Sequence, residues 1–244
     1  MKEPGTEAYA LFSGGLELLQ PRAGPRTSVD AVLLADFLAP GDETLAELGL
    51  GNGAASLAAL YLRRAPSAWG IEIQPGLAGL AELNARTTGL PLEVKTGDLR
   101  RREDLGEPGR FTRVIANPPF RRPDDGRRSP SVSRDAARRE VFGGLQDFLD
   151  AARLLLAEGG RFTLIYPARR LAELAAELRS RRLEPRRMRL VHPSPERPAG
   201  LVLLEAVKGG GAELEIPPPL YTHGADGAYT DEMAQILAGR RPPL

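Results

Sequence analysis

The sequence predicts an α/β fold built on a mostly parallel sheet with helices on both faces. Three observations predict it. From residue 43 onward, short apolar runs alternate with longer Ala- and Leu-rich stretches of helical period, the pattern of repeated strand–helix–strand units. A glycine turn, Gly49-Leu50-Gly51-Asn52-Gly53, stands between the first such strand and its helix. Polar residues with useful chemistry then recur where successive strands should end: Glu72, Asp98 and Asn117. Ligands of open α/β sheets bind outside the carboxyl ends of strands.

The elements follow in order. Residues 1–40 read as a preface packing on a main domain of residues 41–244. Within the preface, residues 16–20 suit a short strand. Ser28 suits the N-cap of a helix over 29–38, which Pro40-Gly41 stops. Residues 44–48 form the first strand of the main domain, and 54–64 a helix. Residues 68–73 form the second strand, carrying Trp69 into the core and ending near Glu72. A helix over 77–88 ends at Gly89. Residues 92–96 form the third strand, followed by Gly97-Asp98. Residues 111–116 (Phe-Thr-Arg-Val-Ile-Ala) form a buried fourth strand that ends in Asn117-Pro118-Pro119-Phe120. Residues 121–136 are long, charged and rich in Pro, Gly and Ser, the composition of a functional loop. Residues 137–157 read as a helix ended by Gly159-Gly160, 162–166 as a strand and 168–181 as a helix. Residues 188–191 and 201–207 are closing strands.

Composition excludes several classes. The chain has 244 residues, 42% of them hydrophobic, enough for a real core. No apolar window has the length of a membrane span, and the N-terminus lacks the apolar stretch of a secretory signal. Without cysteine there are no disulfides, thiolate metal sites or iron–sulfur clusters. His192 and His223 are the only histidines, so no metal site is expected. These features fit a cytoplasmic protein. The net charge is +1, but arginine supplies 30 of the 33 basic residues and is clustered. Residues 121–139 hold seven arginines against three aspartates, 179–189 hold six, and Arg100-Arg101-Arg102 form a third run. Such runs also suit solvated helix faces. The first and third, however, flank the strand ends that carry Asn117 and Asp98, and arginine forks suit phosphate.

The chemistry concentrates in two places. Asn117-Pro118-Pro119-Phe120 forms a cup for a flat group bearing an NH2. The asparagine oxygen can accept one N–H. A carbonyl held by the Pro-Pro pair can accept the other, since proline fixes its own φ and restricts the residue before it. The ring can stack. Upstream, Glu47-Leu48-Gly49-Leu50-Gly51-Asn52-Gly53 lacks both the dinucleotide glycine spacing and the lysine of a phosphate loop. Glu72 follows about 20 residues on, where an acid meets ribose hydroxyls, and Asp98 is placed to meet an adenine amine. Each acid alone also suits a surface or turn position.

These ordered motifs resemble those of class I S-adenosylmethionine-dependent methyltransferases. The chain is more narrowly similar to the bacterial tRNA(Val) (adenine-N(6))-methyltransferases, which modify the adenine next to the anticodon. That similarity runs through Gln20-Pro21, Ser28-Val29-Asp30-Ala31 and Leu33-Leu34-Ala35, then Gly70-Ile71-Glu72-Ile73-Gln74. It closes with Leu203-Leu204-Glu205-Ala206-Val207-Lys208-Gly209-Gly210 and Tyr229-Thr230-Asp231-Glu232. The resemblance implies a Rossmann-like, mostly parallel seven-stranded sheet, S-adenosyl-L-methionine as cofactor and RNA, first of all tRNA, as partner. It implies cofactor contacts from Glu47, Gly49, Gly51, Gly53, Glu72, Ile73, Asp98, Leu99 and Asn117, and a catalytic group of Asn117, Pro118, Pro119 and Phe120. Asp30 and Ser28 would close over the donor's methionine end, although a helix cap and first-turn acid explain them equally. Glu47 stands where these enzymes more often carry Asp, and Phe120 where Tyr is common; both keep the chemistry.

Other acceptors share the cup: a protein glutamine, as in release-factor methylases, or a guanine of ribosomal RNA. Release-factor methylases of that kind carry an N-terminal helical domain, and the roughly 40 residues before the glycine turn are too few for one. A noncatalytic RNA-binding module would have no need of an intact cup.

Overall fold

The computed structural model describes residues 5–23, 27–119 and 143–240. Phe120 and the expected loop over 121–136 lie outside the described residues. A hairpin comes first, β1 (Thr6–Leu11) and β2 (Leu16–Pro21), joined by a 3-10 turn and paired antiparallel from Thr6↔Pro21 to Leu11↔Leu16. Its first strand was not legible in sequence. α1 (Val29–Phe37) starts where Ser28 caps it, the Ser28 hydroxyl accepting from the Asp30 N–H.

The main sheet then assembles from β3 (Leu45–Leu48), β4 (Ala68–Glu72), β5 (Leu92–Thr96), β6 (Phe111–Ala116), β7 (Leu156–Pro167), β8 (Leu183–His192), β9 (Leu201–Lys208) and β10 (Leu220–Tyr221). Their spatial order is β10-β8-β9-β7-β6-β3-β4-β5, with only β9 antiparallel to its neighbours. Seven of these match the expected count. The eighth, two residues long, follows β8 in parallel at the edge. Between strands run α2 (Ala54–Tyr61), α3 (Pro75–Thr88), α4 (Arg102–Leu105), α5 (Leu145–Leu155) and α6 (Leu171–Ser180), and α7 (Asp231–Leu237) closes the chain. No helix among the described residues is long and apolar enough to cross a membrane.

Period-2 alternation divides the core into two layers. Leu45, Ile115, Ile165 and Leu203 point to the face covered by α1, α2 and α7. Leu48, Val114, Phe162, Leu164 and Leu204 point to the face covered by α5 and α6. α1 is apolar almost all round, the signature of a buried helix; seven of its nine residues, Ala31 to Phe37, are buried. It is thus part of the core. Asp36 in it pairs with buried Arg64 at 3.7 Å.

Two boundaries differ from expectation for identifiable reasons. The helix expected to reach residue 157 stops at Leu155, and β7 begins at once. Phe111 pairs with Leu156 but Arg113 with Arg161, so residues 157–160 loop out of the ladder. Gly159 takes φ +76° there, and a Cβ on Gly160 would lie 2.9 Å from the Ala157 carbonyl oxygen. The glycines therefore shape a bulge rather than a helix stop. The helix expected over 168–181 opens as a 3-10 turn (Ala168–Arg170) before α6.

Gly70 in β4 matters for the same steric reason. A Cβ on it would lie 2.6 Å from Leu50 Cδ1, so the glycine turn rests directly on β4. Gly70→Ala is expected to displace Leu50 and cost about 1–3 kcal/mol by overpacking, read as a lower urea midpoint with an unchanged m-value.

Candidate functional site

Strand order reverses at β3, whose parallel neighbours are β4 on one side and β6 on the other. Helices leave in opposite directions from such a point and open a crevice at the carboxyl ends. Leu48 pairs with Ala116, so the residues that follow, Gly49 and Asn117, flank that crevice. A cavity of about 180 Å³ lies there. Gly49, Leu50, Gly51 and Asn52 of the glycine turn line it with Glu47, Leu77, Asn117, Ala54 and Ala55 of α2, and Thr27, Ser28 and Ala31 of the preface.

The turn needs its glycines. Gly49 and Gly51 take φ of +70° and +59°, left-handed values that strain other residues. A Cβ on Gly49 would strike the Phe148 ring at 2.9 Å, whereas one on Gly51 would meet nothing within 4 Å. Gly51 therefore presents bare backbone to open space. Gly53 does a different job: at φ +85° it starts α2, and a Cβ there would press on Leu92 and Leu57.

Two acids are buried around the turn. Glu47 is 2% exposed, and its Oε2 accepts from the Ser56 N–H at 2.9 Å and the Ser56 hydroxyl at 2.5 Å. Burial pushes its carboxyl up to about 8, against the lowering effect of both Ser56 bonds. Glu72 is 5% exposed. Its Oε2 accepts from the Gly51 N–H at 2.8 Å, and its Oε1 from the Gln74 backbone and side-chain N–H groups at 3.0 and 3.2 Å. The residue expected to meet a ribose thus also fixes the glycine turn, and its Oε2, with one bond accepted, keeps a second lone pair for a ligand.

The other expected residues are distributed as follows. Asn117 is half-buried and lines the cavity; Pro118 is buried and Pro119 exposed. Asp98 binds Arg100, with Oδ2 2.6 Å from Nη2, and that bond holds the Asp98 carboxyl below its ordinary range. Any adenine amine at Asp98 would share the carboxylate with Arg100. Leu99 is buried among Ile71 and Leu105. Neither Leu99, Gly53 nor Ile73 lines this cavity. Asp30 is occupied at its backbone by the Ser28 cap. Sequence reasoning missed Thr27, Ser56 and Asn52 as site residues. Only Asn52 carried a signal, being the one polar side chain inside the glycine turn.

The cavity combines bare backbone at Gly51, two amide side chains and the buried carboxyl of Glu47. Its size suits only part of a larger ligand, since small-molecule pockets run about 300–1,000 Å³.

No family model matches the chain. It is 31% identical over 158 residues to the release factor glutamine methyltransferase of Agrobacterium fabrum (strain C58), covering 61% of this chain and 54% of that protein. It is 34% identical over 147 residues to the release factor glutamine methyltransferase of Rhodospirillum rubrum, covering 59% and 43%. The chain thus spans about half the length of the curated relatives it matches. Among solved structures, a predicted O-methyltransferase from Agrobacterium tumefaciens superposes with a TM-score of 0.68 at 28% identity, covering 86% of this chain and 96% of that one. The fold is the Rossmann-like fold of class I S-adenosylmethionine-dependent methyltransferases.

Glu47 generates a pH prediction. Its folded pKa near 8 exceeds its ordinary value of 4.5, so between those values the native state holds a proton that the unfolded chain has lost. Stability contributed by this group is full below about 4.5 and declines as pH rises through 8. Urea midpoints should fall from pH 5 to 8, and Glu47→Gln, neutral throughout, should flatten that decline.

Proposed function

We propose that the chain is an S-adenosylmethionine-dependent N-methyltransferase whose acceptor is an NH2 group on a flat, conjugated frame. One observation carries this: Asn117, the amide of the cup, and the glycine turn after β3 line one cavity at the sheet's switch point. Glu47, Gly49, Gly51 and Asn52 would hold the methionine end of the donor, with Thr27 and Ser28 over it. The donor's nucleoside would extend toward Glu72 and Asp98, at the tips of the next two strands.

S-adenosylmethionine, when bound, supplies an electrophilic methyl group on a positively charged sulfur. The chain's own residues prepare the acceptor. An amine nitrogen on a conjugated frame is a poor nucleophile because its lone pair is delocalised. The Asn117 side-chain oxygen accepts one amine hydrogen, and the Pro118 carbonyl the other. Those two bonds favour the pyramidal nitrogen and aim its lone pair into the crevice. Phe120, outside the described residues, would stack on the flat frame, worth about 1–3 kcal/mol for a base. Positioning supplies the larger part of the rate. Ionised Glu47 would balance the donor's charge.

Two acceptors have separate support. A glutamine carboxamide on a protein is favoured by the names of the two curated relatives, both release factor glutamine methyltransferases. The exocyclic amine of adenine in RNA, with tRNA first, is favoured by the arginine runs around the cup and by the motif resemblance. A base in a stack would have to be splayed out to reach the cup.

Three outcomes are expected. Asn117→Ala should lower methyl transfer by roughly two to three orders of magnitude, as loss of one preorganised polar group does, while calorimetry shows donor affinity nearly unchanged; wild-type turnover would sink the mechanism. Incubation with isotopically labelled donor and total tRNA, ribosomal RNA or translation factors should yield one methylated product by mass spectrometry, N6-methyladenosine or a methylated glutamine. Labelling of none would sink the acceptor class. If the product is RNA, joint replacement of Arg121, Arg122, Arg127 and Arg128, all outside the described residues, should weaken RNA binding and flatten its salt dependence.

A further inference from the structure

Asn84 takes no part in the cavity lining, yet its side chain is wired to it. It sits on α3, on the buried stripe with Leu77, Leu80 and Ala81, and is 1% exposed. Its Oδ1 accepts from the Leu19 N–H at 2.8 Å. Its Nδ2 donates to the Leu19 carbonyl at 2.9 Å and to the Asn52 carbonyl at 3.0 Å. The Asn52 side chain repeats the pattern, donating to the same Leu19 carbonyl at 2.9 Å and to Thr27 Oγ1 at 3.0 Å. The Thr27 N–H in turn donates to Gln20 Oε1 at 3.0 Å. One buried amide therefore joins β2, α3 and the glycine turn, and through Asn52 it reaches Thr27 on the cavity wall.

We infer that Asn84 is a positioning residue of the donor cavity, fixing the wall formed by Asn52 and Thr27. This rests on the reading of the cavity as the donor site. Only an amide meets the requirement, because the site needs one acceptor and two donors from a single short side chain. Aspartate keeps the acceptor and loses both donors. Core packing of α1 and this network together hold the preface over the cavity. β2 is held to the main fold by Asn84 and Asn52 at Leu19, and the chain entering α1 is tied at Thr27. Loosening Asn84 should therefore move cavity residues without touching the acceptor side at Asn117.

The test is calorimetric titration of S-adenosylmethionine and of its demethylated product into wild type, Asn84→Asp and Thr27→Val, each well below its own unfolding midpoint. Both variants should bind either ligand about tenfold more weakly, the size expected for one lost hydrogen bond of ordinary net strength. Donor KM should rise in parallel, with kcat at saturating donor within about twofold, a split that a merely structural residue would not produce. Thr27→Val removes a hydroxyl of the cavity wall itself and gauges what that wall contributes; Asn84→Ser, uncharged, tests the network if Asn84→Asp fails to fold, and a folded Asn84→Ser with wild-type donor affinity would overturn the inference. A folded Asn84→Asp with a lower melting temperature and wild-type donor affinity would overturn the inference and leave the donor reading standing. Wild type that binds neither ligand would take down the donor reading and this inference together.

Discussion

The parallel pairing of β3 with β6 governs the rest of the structure. With Leu48 opposite Ala116, the glycine turn and Asn117 emerge side by side, although 68 positions separate Gly49 from Asn117 in the chain. The crossovers built on α2 and α3 place β4 and β5 on one side of this pair; β7 and the β8–β9 pair build the other. A one-residue slip would turn Asn117 to the opposite face of the sheet, because side chains alternate with period 2. That slip is resisted by Ile115 and Leu45 in one core layer and by Val114 and Leu48 in the other. Core packing thus sets the geometry of the site.

Two buried acids stand beside the glycine turn. Glu47 and Glu72 lie within the walls of the glycine turn, where burial opposes ionisation. Glu72 accepts N–H groups from Gly51 and Gln74. Among the described residues Glu47 has the two Ser56 donors only, and its carboxyl stays well above the ordinary range. A positively charged ligand would supply the missing compensation, so cation binding and Glu47 ionisation should be coupled through proton release. Asp98 is arranged differently: more exposed and paired with Arg100, it stays ionised without a ligand.

The preface belongs to both the core and the site. α1 fills the layer between α2 and α7, while Thr27 and Ser28, just before it, line the cavity. Stability and ligand geometry are therefore shared by one segment.

The sequence by itself determined the alternating α/β pattern, the Ser28 cap, the glycine turn, and the placing of Glu72, Asp98 and Asn117 at strand ends. Each of these is local: a hydroxyl two residues before an N–H, a left-handed φ that glycine tolerates, an apolar run that stops at a polar residue. Tertiary structure decided the strand order and the bulge over residues 157–160, where a cross-strand register outweighs a helix-like composition. It decided that Gly53 and Leu99 lie outside the lining of the cavity, that Asp98 pairs with Arg100, and that Asn52 and Asn84 meet at Leu19. The asparagine at 84 went unremarked in the sequence, and its partners lie 32 and 65 positions away. Hydrogen bonds of that span are fixed by which surfaces pack together, and no local pattern along the chain encodes them.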